Sequence, residues 1–592
     1  MESATATLER DRRDGVETGP APVVAQREEA VASPVTRLET WGIFLVFGAF
    51  YTLVGYWVVS DLHVISFDAL DRLTRAFMVW YNDPPKLAAI GFSLPPIGTF
   101  VLVPFAAIRE FVTSGLAIPL SSAVFGALAL TSINRMFAMA DMARGARLLV
   151  VLLIGINPMW AFYSMNGTGD AAYMFFVSFA LFCIVGWGRN GSARYLIGAG
   201  LAMSLACLTN YEFIAWSFFL AFLIAWSLNS RGRSKDEAEG STLAYLAPIG
   251  YALGIWIFFN AIVLGNPFEW ISLASNSTPV NAVASSAPGF DLFDAIGNAL
   301  RIQLIFPATL VAIPLLFFAG GDSERRSISI GFALLILLTI LYLVIGAWIQ
   351  GSVDSIELSD AIPGMLAGIG GFAWVYLNSP GIRGFAWGGL VALSVLALPL
   401  AWTQMQSYPH QNLEQAFTRA ISTGDDQEGS ASRGGYQVGI ADEREMARFI
   451  EDQSIPKNQI LTDNSRTYGV ITLTGHPDIF FDRVDKGDEV WQQTLENPQD
   501  KVEFMLVEKD DADLIVDRYP GAVDGAVPFL DPVVSNDRYS LLRVTDSTDT
   551  TTSSTNGTGT TSSGNPNTVP DQTGNIGSAP PVSTTPPAGS GG

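Results

Sequence analysis

Four charged residues stand at helical spacing shortly after the first long apolar stretch of the chain. Asp68, Asp71, Arg72 and Arg75 recur at i, i+3, i+4 and i+7, with apolar residues on the opposite face. A carboxylate can take a proton from an attacking hydroxyl, and the planar fork of an arginine can bind phosphate oxygens. A helix lying flat on a membrane keeps such charges out of the bilayer centre, where each costs about 2.5–3.5 kcal/mol. The segment predicts an interfacial helix with acid–base chemistry beside a lipid-borne reactant, or, alternatively, an ordinary solvated amphipathic helix.

Three further polar clusters fall between apolar stretches. In Asn166–Asp170, the glycines allow a tight turn, and Asp170 either caps the next helix or contributes a second acid. In Thr209–Glu212, a carboxylate sits at the mouth of a helix pair, where an acid is normally paired or functional unless it is merely solvated. The cluster Gly265–Trp270 is also typical of a plain turn with an interfacial tryptophan.

The overall composition is that of a polytopic helical membrane protein. Of its 592 residues, 49% are hydrophobic and only 15% are charged, and many apolar stretches approach the ~20 residues needed to cross a bilayer. The first of these, Trp41–Ser60, follows a polar segment unlike the short basic head of a signal peptide, so we expect it to be retained. Cys183 and Cys207 fall inside predicted spans and indicate no disulfide. His63 is a minor site candidate because it precedes Asp68 closely.

The apolar stretches predict about eleven membrane spans. The stretch Pro95–Phe105 is too short for a full crossing, so we assign it to a re-entrant or interfacial segment within a region of interfacial helices at 66–112. The predicted spans are 41–60, 114–134, 148–163, 171–187, 194–208, 213–229, 243–264, 298–319, 328–349, 361–378 and 384–402.

Lysine and arginine gather in alternate loops, and this asymmetry predicts the orientation of the chain. The loops assigned to the cytoplasm contain Arg135, Arg144, Arg147, Arg189, Arg194, Arg231, Arg233, Lys235, Arg325, Arg326 and Arg383. The opposite loops Gly265–Leu300 and Gly351–Pro363 contain neither lysine nor arginine. We therefore expect a multi-pass protein of the cell membrane, with a cytoplasmic N-terminus and everything after Trp402 outside the cytoplasm.

The sequence after Trp402 changes character. Segments 459–463 and 502–507 are typical of short strands, and 442–451 is typical of a helix begun by an acidic cap. The predicted regions are a disordered cytoplasmic N-terminus (1–38), a transmembrane domain (39–402), a small extracytoplasmic α/β domain (403–545) and a disordered tail rich in Thr, Ser, Gly and Pro (546–592). A formal net charge of −22 argues against binding nucleic acid, whose phosphates would be repelled.

A set of short motifs connects these clusters to a known family. The motifs are Asp68-Ala69 followed by Arg72, Leu87–Phe92 with Pro95-Pro96, Asn166-Gly167 ahead of Asp170, Thr209-Asn210-Tyr211-Glu212, and Gly265-Asn266-Pro267. Together they resemble the polytopic glycosyltransferases of the C superfamily (GT-C), close to family 39 and to mannosyltransferase-like bacterial members. Asn210 stands where the similar proteins carry arginine, and Asp170 where they carry glutamate. The resemblance covers roughly residues 41–300 and implies a GT-C-like fold.

The resemblance also implies an activity, namely transfer of a sugar from a polyprenyl-phosphate donor in the membrane lipid to a glycan or protein acceptor on the outer face. Asp68 matches the acid expected as catalytic base, and Asp170 matches the second acidic position. The substrate-binding candidates are Asp71, Arg72, Arg75, Asn166, Tyr211, Glu212 and Arg301. A divalent cation such as Mg²⁺ or Mn²⁺ is left open, because Asp and Glu are also ligands of hard cations.

Two other functions are compatible with a polytopic chain. A transporter usually shows internal repeats and polar sites near the membrane midplane, whereas the acids here concentrate at the ends of the predicted spans. A non-catalytic cell-envelope scaffold with an outer binding domain is the other alternative. Replacement of Asp68 by asparagine separates an enzyme from a scaffold, because only an enzyme would lose sugar transfer.

Overall fold

The computed structural model describes residues 35–92, 94–268, 270–271, 289–318, 323–409, 412–429, 438–510 and 513–545. The predictions of disorder for the chain ends concern residues that, apart from 35–38, lie outside these ranges. The first helix begins at Arg37, two residues before the predicted start of the transmembrane domain, because Thr36 accepts a hydrogen bond from the backbone N–H of Glu39 and so caps the helix.

The part of the chain before residue 410 is helical. Its helices are α1 (Arg37–Ser60), α2 (Phe67–Tyr81), α3 (Pro96–Phe100), α4 (Val103–Ala106), α5 (Arg109–Thr113), α6 (Ala117–Met139), α7 (Arg144–Gly155), α8 (Pro158–Tyr163), α9 (Asp170–Asn190), α10 (Ala193–Cys207), α11 (Phe213–Ser230), α12 (Lys235–Val263), α13 (Leu292–Ile302), α14 (Ala308–Phe318), α15 (Ser323–Gln350), α16 (Ala361–Asn378) and α17 (Arg383–Ser407).

Within the described ranges, eight helices are long and apolar enough to cross a membrane, or nine if α13 and α14, which meet at 98°, form one bent span. The protein is therefore a polytopic helical membrane protein. Two predicted spans fall short of this criterion. Span 148–163 is broken into α7 and α8, because the Asn157 side chain accepts hydrogen bonds from two backbone N–H groups and starts a new helix at Pro158. Span 194–208 corresponds to α10, which has only 15 residues. The count of eleven stays a prediction.

The helix bundle has two chemically different ends. At the basic end, where α6, α9, α16 and α17 have termini, Arg189 contacts Asp141 at 2.8 Å and Arg325 contacts Asn378 at 2.8 Å. At the opposite end, called the acidic end below, α2 and the starts of α9, α11 and α16 carry Asp68, Asp170, Glu212 and Asp360. Helices α7 and α8 connect the basic end of α6 to the acidic end of α9, so together they run from one end of the bundle to the other. Helix α10 does the same between the basic end of α9 and the acidic end of α11. That the basic end faces the cytoplasm remains a prediction from charge.

The region predicted to contain interfacial helices consists of α2, a 3₁₀ turn at Leu87–Ile90, and the short helices α3 to α5. Pro96 and Pro104 each lie in the first turn of a short helix, which divides the apolar stretch at Pro95–Phe105 into pieces too short to span a bilayer. On α2, Leu73 and Phe77 are fully buried, so its apolar face is covered by protein.

The chain after residue 410 forms a mixed α/β unit. Its elements are α18 (Asn412–Thr423), α19 (Ala441–Asp452), β1 (Ile460–Thr462), α20 (Asn464–Thr474), β2 (Phe480–Phe481), α21 (Arg483–Glu496), β3 (Phe504–Glu508), α22 (Leu514–Arg518), β4 (Leu530–Ser535) and β5 (Tyr539–Val544). The sheet order is β2-β1-β3-β5-β4, parallel among β2, β1 and β3 and antiparallel for the last two pairs. Both predicted strands and the predicted helix correspond to elements of this unit, namely β1, β3 and α19. The predicted acidic cap of α19 is wrong, because Ile440 is the cap residue and the acids Asp442 and Glu443 lie inside the first turn.

Helix α20 packs directly on α2. The Thr74 hydroxyl lies 2.8 Å from the carbonyl oxygen of Leu70 and 3.0 Å from that of Tyr468, and it also contacts the Thr472 hydroxyl. The amide of Asn82, after the end of α2, donates to Asp482 at 3.2 Å. The charged helix α2 is thus held between the membrane helices and the α/β unit, and its orientation depends on both.

Candidate active site

The predicted i, i+4 spacing on α2 produces two ion pairs. The Ser66 side chain caps the helix, and Asp68 in the first turn accepts a hydrogen bond from Arg72 Nε at 2.8 Å. The two partners differ in exposure, since the Asp68 side chain is 41% exposed and the Arg72 side chain only 8%. Asp68 is therefore reachable by a substrate, while Arg72 is a buried cation whose position is fixed by the protein.

The second pair, Asp71 and Arg75, repeats this arrangement three residues further along α2. Arg75 Nε donates to both carboxylate oxygens of Asp71, at 2.9 and 3.0 Å, and both side chains are largely buried. Burial raises the pKa of Asp71, and the charge of Arg75 offsets part of that rise. Arg75 extends against Gly91, where a Cβ would collide with its guanidinium. This pair holds α2 against the Leu87–Ile90 turn, so Asp71 positions Arg75 through an i, i+4 ion pair.

Close backbone approach at two glycines makes room for the guanidinium of Arg72. A Cβ on Gly98 would collide with Arg72, and a Cβ on Gly169 would lie 3.9 Å from its Cζ atom. Arg72 Nη1 also lies 3.4 Å from the carbonyl oxygen of Pro95. Arg72 therefore lies between the start of α3 and the loop before α9, two segments that are remote in sequence.

The loop before α9 presents Asp170 to this cation. The Thr168 hydroxyl lies 2.7 Å from Asn166 Oδ1 and 2.5 Å from Asp170 Oδ2, and the Thr168 N–H also donates to Asn166 Oδ1. Asn166 therefore shapes the turn, because its Oδ1 accepts from both the N–H and the hydroxyl of Thr168. Asp170 is the first residue of α9 and not its cap, which is Gly169. The cap interpretation of Asp170 is wrong, and its carboxylate is available to the site.

Asp68, Arg72 and Asp170 act on one another electrostatically. Burial opposes the charged form of Arg72, but the carboxylates of Asp68, Asp71 and Asp170 outweigh it and raise the pKa of the guanidinium above its ordinary value. Arg72 is therefore held permanently charged by a surplus of acid. The structure brings together the two residues predicted as catalytic and the first of the predicted arginines.

Tyr211 and Glu212 lie at the same end of the bundle but have different surroundings. The Tyr211 hydroxyl accepts a hydrogen bond from Trp256 Nε1 at 3.1 Å, and its ring packs on Trp270 with centroids 4.4 Å apart. Glu212 is only 9% exposed, and the acids that act on it are Asp360 and Asp170. Among the described residues, its carboxylate has no hydrogen-bond donor or cation as partner.

Arg301, the remaining predicted residue, lies at the end of α13. Its Nε donates to Gln404 Oε1 at 3.2 Å, and its guanidinium lies over the Tyr408 ring at 5.3 Å from the centroid. The Tyr408 hydroxyl in turn donates to the carbonyl oxygen of Ile356, in the loop that leads to Asp360. Arg301 is thus attached to the edge of the acidic end and has no ion pair with Asp68 or Asp170 among the described contacts.

Two acids of the site were missed from the sequence. Asp360 precedes α16, and its carboxylate accepts a hydrogen bond from the backbone N–H of Glu357 at 2.8 Å. Glu414 on α18 accepts one from the Tyr163 hydroxyl at 2.5 Å, and burial raises the pKa of this carboxyl group. An acid directly before an apolar span was a readable signal for Asp360. Glu414 gave no such signal because it lies beyond the last predicted span.

His63 does not join this site. Its imidazole instead contacts Asp426 at 2.8 Å and Glu428 at 3.2 Å. The minor prediction that paired His63 with Asp68 is therefore not supported, because the connection from α1 to α2 directs the ring toward the segment that follows α18.

The fold and the site define a polytopic helical membrane protein with a carboxylate-rich site at one end of its bundle, next to an amphipathic helix that bears a buried arginine. No family model matches this chain, and no curated protein matches it.

Solved structures do show similarity. One is the crystal structure of ArnT from Cupriavidus metallidurans in the apo state, with 13% identity over 85% of this chain and 98% of that chain, at a TM-score of 0.39. Another is the Archaeoglobus fulgidus oligosaccharyltransferase tethered with an acceptor peptide, with 10% identity over 80% of this chain and 69% of that chain, at a TM-score of 0.38. Both TM-scores and both identities are low, so a function for this chain has to be argued from its own site.

Proposed function

We propose that this chain is a membrane-embedded glycosyltransferase of the GT-C type, which moves a sugar from a polyprenyl-phosphate donor to a glycan or protein acceptor on the outer face of the membrane. The observation that carries the proposal is the arrangement on α2. An exposed carboxylate, Asp68, lies beside a buried guanidinium, Arg72, which also faces Asp170. A base and an anion receptor thus stand together at the end of a membrane helix bundle.

Asp68 is the base of the proposed reaction. The acceptor hydroxyl oxygen attacks the anomeric carbon of the donor, the bond from that carbon to the phosphate oxygen breaks, and the hydroxyl proton passes to Asp68. Such a transfer passes through an oxocarbenium-like state, in which a positioned carboxylate contributes typically about 10²–10⁴-fold to the rate. The ion pair with Arg72 at 2.8 Å holds the Asp68 carboxylate in a fixed position before the acceptor binds.

Arg72 receives the departing phosphate. The leaving polyprenyl phosphate keeps the electron pair of the broken bond, and a fixed cation stabilises the charge that develops on its oxygens. Arginine has five N–H donors in a planar fork, and Arg72 uses Nε for Asp68, so donors remain for phosphate oxygens. Because Gly98 and Gly169 lie against the guanidinium, its position is set before the donor binds.

The remaining acids suit a hard divalent cation. The carboxylates of Asp170 and Asp360 act electrostatically on that of Glu212, which has no hydrogen-bond donor as partner among the residues that the structure describes. These oxygens fit the ligand preference of Mg²⁺ or Mn²⁺, which would neutralise negative charge on the donor phosphate. Without an ion, the same carboxylates orient the sugar hydroxyls by accepting their hydrogen bonds.

The test uses the purified full-length chain and a panel of polyprenyl-phosphate sugars, each with and without Mg²⁺ or Mn²⁺. Consumption of one donor class is the expected result, and Asp68→Asn should slow that consumption by about 10²–10⁴-fold. The matched control is Glu237→Gln, because Glu237 also forms an i, i+4 pair, with Arg233, at the basic end. Equal rates for wild type and Asp68→Asn would contradict the assignment of the base. Failure to consume any donor would favour a transporter or a scaffold.

A further inference from the structure

A second cluster of ligand-type side chains lies away from the proposed active site. His63, in the connection between α1 and α2, meets Asp426 and Glu428 from the segment that follows α18. His63 Nδ1 lies 2.8 Å from Asp426 Oδ1 and 3.2 Å from Glu428 Oε2. Close by, the Gln427 N–H donates to the carbonyl oxygen of Leu62 at 3.0 Å, so the backbones of the two segments are joined as well.

The separations between these atoms suit shared coordination of one ion. Two donors that bind a metal at about 2.0–2.2 Å and about 90–100° apart lie about 3 Å from each other. The two distances from His63 Nδ1 bracket that value. One imidazole nitrogen with two carboxylate oxygens is a donor set of the kind that binds divalent first-row transition metals.

The hydrogen bonds around the cluster leave ligand atoms available. Glu428 Oε1 accepts from the Ile440 N–H at 2.6 Å, which holds the carboxylate in place. Its other oxygen, Oε2, is out of contact with solvent and accepts no hydrogen bond among the described residues. The guanidinium of Arg444 lies 3.7 Å from Oε2, beyond hydrogen-bond distance. Glu428 Oε2 is thus a buried carboxylate oxygen that lies near an imidazole and accepts no hydrogen bond among the described residues. Such an oxygen is suited to bind a cation that lies between it and the imidazole.

We propose that His63, Asp426 and Glu428 form a binding site for one divalent transition-metal ion, with Zn²⁺ as the probe of choice. Three protein ligands leave at least one coordination position for water. The ion links the residues just before Ser66, the cap of α2, to the segment of the α/β unit that follows α18. The site is distinct from the one around Asp68, so it can be tested without reference to catalysis.

The rival explanation is a simple ion pair, in which a protonated His63 contacts the two carboxylates and no metal binds. The experiment strips the full-length protein in detergent with a chelator, returns Zn²⁺, and counts bound zinc per chain by mass spectrometry. Titration with Co²⁺ then reports ligation through its visible absorption. We expect the ion bound at this site to be lost in His63→Ala, and its affinity to fall at least about tenfold in Glu428→Gln, because even indirect ligand partners contribute that much.

Two controls separate this site from other zinc-binding groups. His476→Ala removes a different exposed histidine, which has one acid, Asp478, at 4.0 Å, and this variant should bind zinc like the wild type. Asp68→Asn should also keep the ion, which distinguishes this site from a cation at the acidic end. Glu428→Gln guards against misfolding, since its amide oxygen can still accept from Ile440. Unchanged zinc stoichiometry and affinity in both His63→Ala and Glu428→Gln would overturn the proposal in favour of the ion pair.

Discussion

The two ends of the helix bundle treat buried acids in opposite ways. At the basic end, Glu39 is 5% exposed, and its carboxylate accepts hydrogen bonds from Arg147 at 2.9 Å through both oxygens and from Asn134 at 2.7 Å. At the acidic end, Glu212 is 9% exposed, is acted on electrostatically by Asp360, and has no hydrogen-bond donor or cation as partner among the described residues. The same side chain is thus fully satisfied at one end and left unpaired at the other.

This difference separates structural charges from functional ones. A buried charge without a partner costs free energy, and folding alone favours pairing it or replacing it by an apolar residue. The paired Glu39 is explained by the structure without any ligand. Under the proposed function, the unpaired Glu212 is explained by a ligand that supplies the missing positive charge or hydrogen-bond donors. The contrast leads to three predictions in order of decreasing effect.

The largest effect on stability is expected for Glu39→Gln. The new amide can still contact Asn134, but the buried guanidinium of Arg147 loses its counter-charge. Breaking a buried pair in this way costs about 3–5 kcal/mol of the free energy of unfolding. Thermal unfolding in detergent measures the loss. Sugar transfer per folded molecule should not change, because Glu39 and the active site lie at opposite ends of the bundle.

A paired replacement tests whether the cost comes from the orphaned charge. Replacing Glu39 and Arg147 together by methionine removes both charges, and well-packed apolar substitutes for a buried pair are often close to neutral. The double variant should therefore be more stable than Glu39→Gln alone. Arg233→Gln, in an exposed pair at the same end, should cost no more than about 0.5 kcal/mol. A double variant as unstable as the single one would show that packing, and not charge pairing, dominates here.

The second-largest effect is expected on the catalytic rate of the variant Arg72→Lys. Lysine keeps the positive charge but has no planar fork with which to hold Asp68 and a phosphate oxygen together. Losing one hydrogen bond to a charged group costs about 1.5–3 kcal/mol, so we expect kcat/KM to fall by about 10–150-fold. The matched control is Arg189→Lys at the basic end, where Arg189 contacts Asp141 at 2.8 Å and the carbonyl oxygen of Met139. Equal activity of Arg72→Lys and wild type would remove Arg72 from the proposed mechanism.

Local periodicity explains why part of the site could be predicted from the sequence. The spacing of the charged residues on α2 predicted an amphipathic helix, and in the structure this helix carries two ion pairs, Asp68 with Arg72 and Asp71 with Arg75. Apolar stretches likewise predicted a polytopic helical protein, because hydrophobic length is a property of single segments. These features need no knowledge of how the segments pack.

Features that depend on packing could not be predicted in this way. Asp360 and Glu414 join the site only because loops far apart in sequence meet at one end of the bundle, and no periodicity encodes such a meeting. The two glycines that lie against Arg72 are equally invisible until the backbones are placed. The break between α7 and α8 is a different case. Its signal, the dipeptide Asn157-Pro158, was readable as a helix boundary and was outweighed by the apolar composition around it.

The smallest expected effect is a gain in stability, opposite in sign to the loss expected for Glu39→Gln. In Glu212→Gln, a neutral amide replaces a buried carboxylate that has no partner, so we expect the protein to gain about 0.5–2 kcal/mol of stability, a trade-off typical of functional sites. Donor consumption should fall at the same time, because the site loses a charge that its ligand requires.

The same substitution at the two ends of the bundle thus makes the sharpest comparison. Glutamate to glutamine should lower the unfolding temperature at position 39 and raise it at position 212, while only the second variant should lose activity. Both can be measured on one preparation by thermal unfolding and donor consumption. If Glu212→Gln destabilised the protein as Glu39→Gln does, the view of Glu212 as an unpaired carboxylate that costs stability would be wrong.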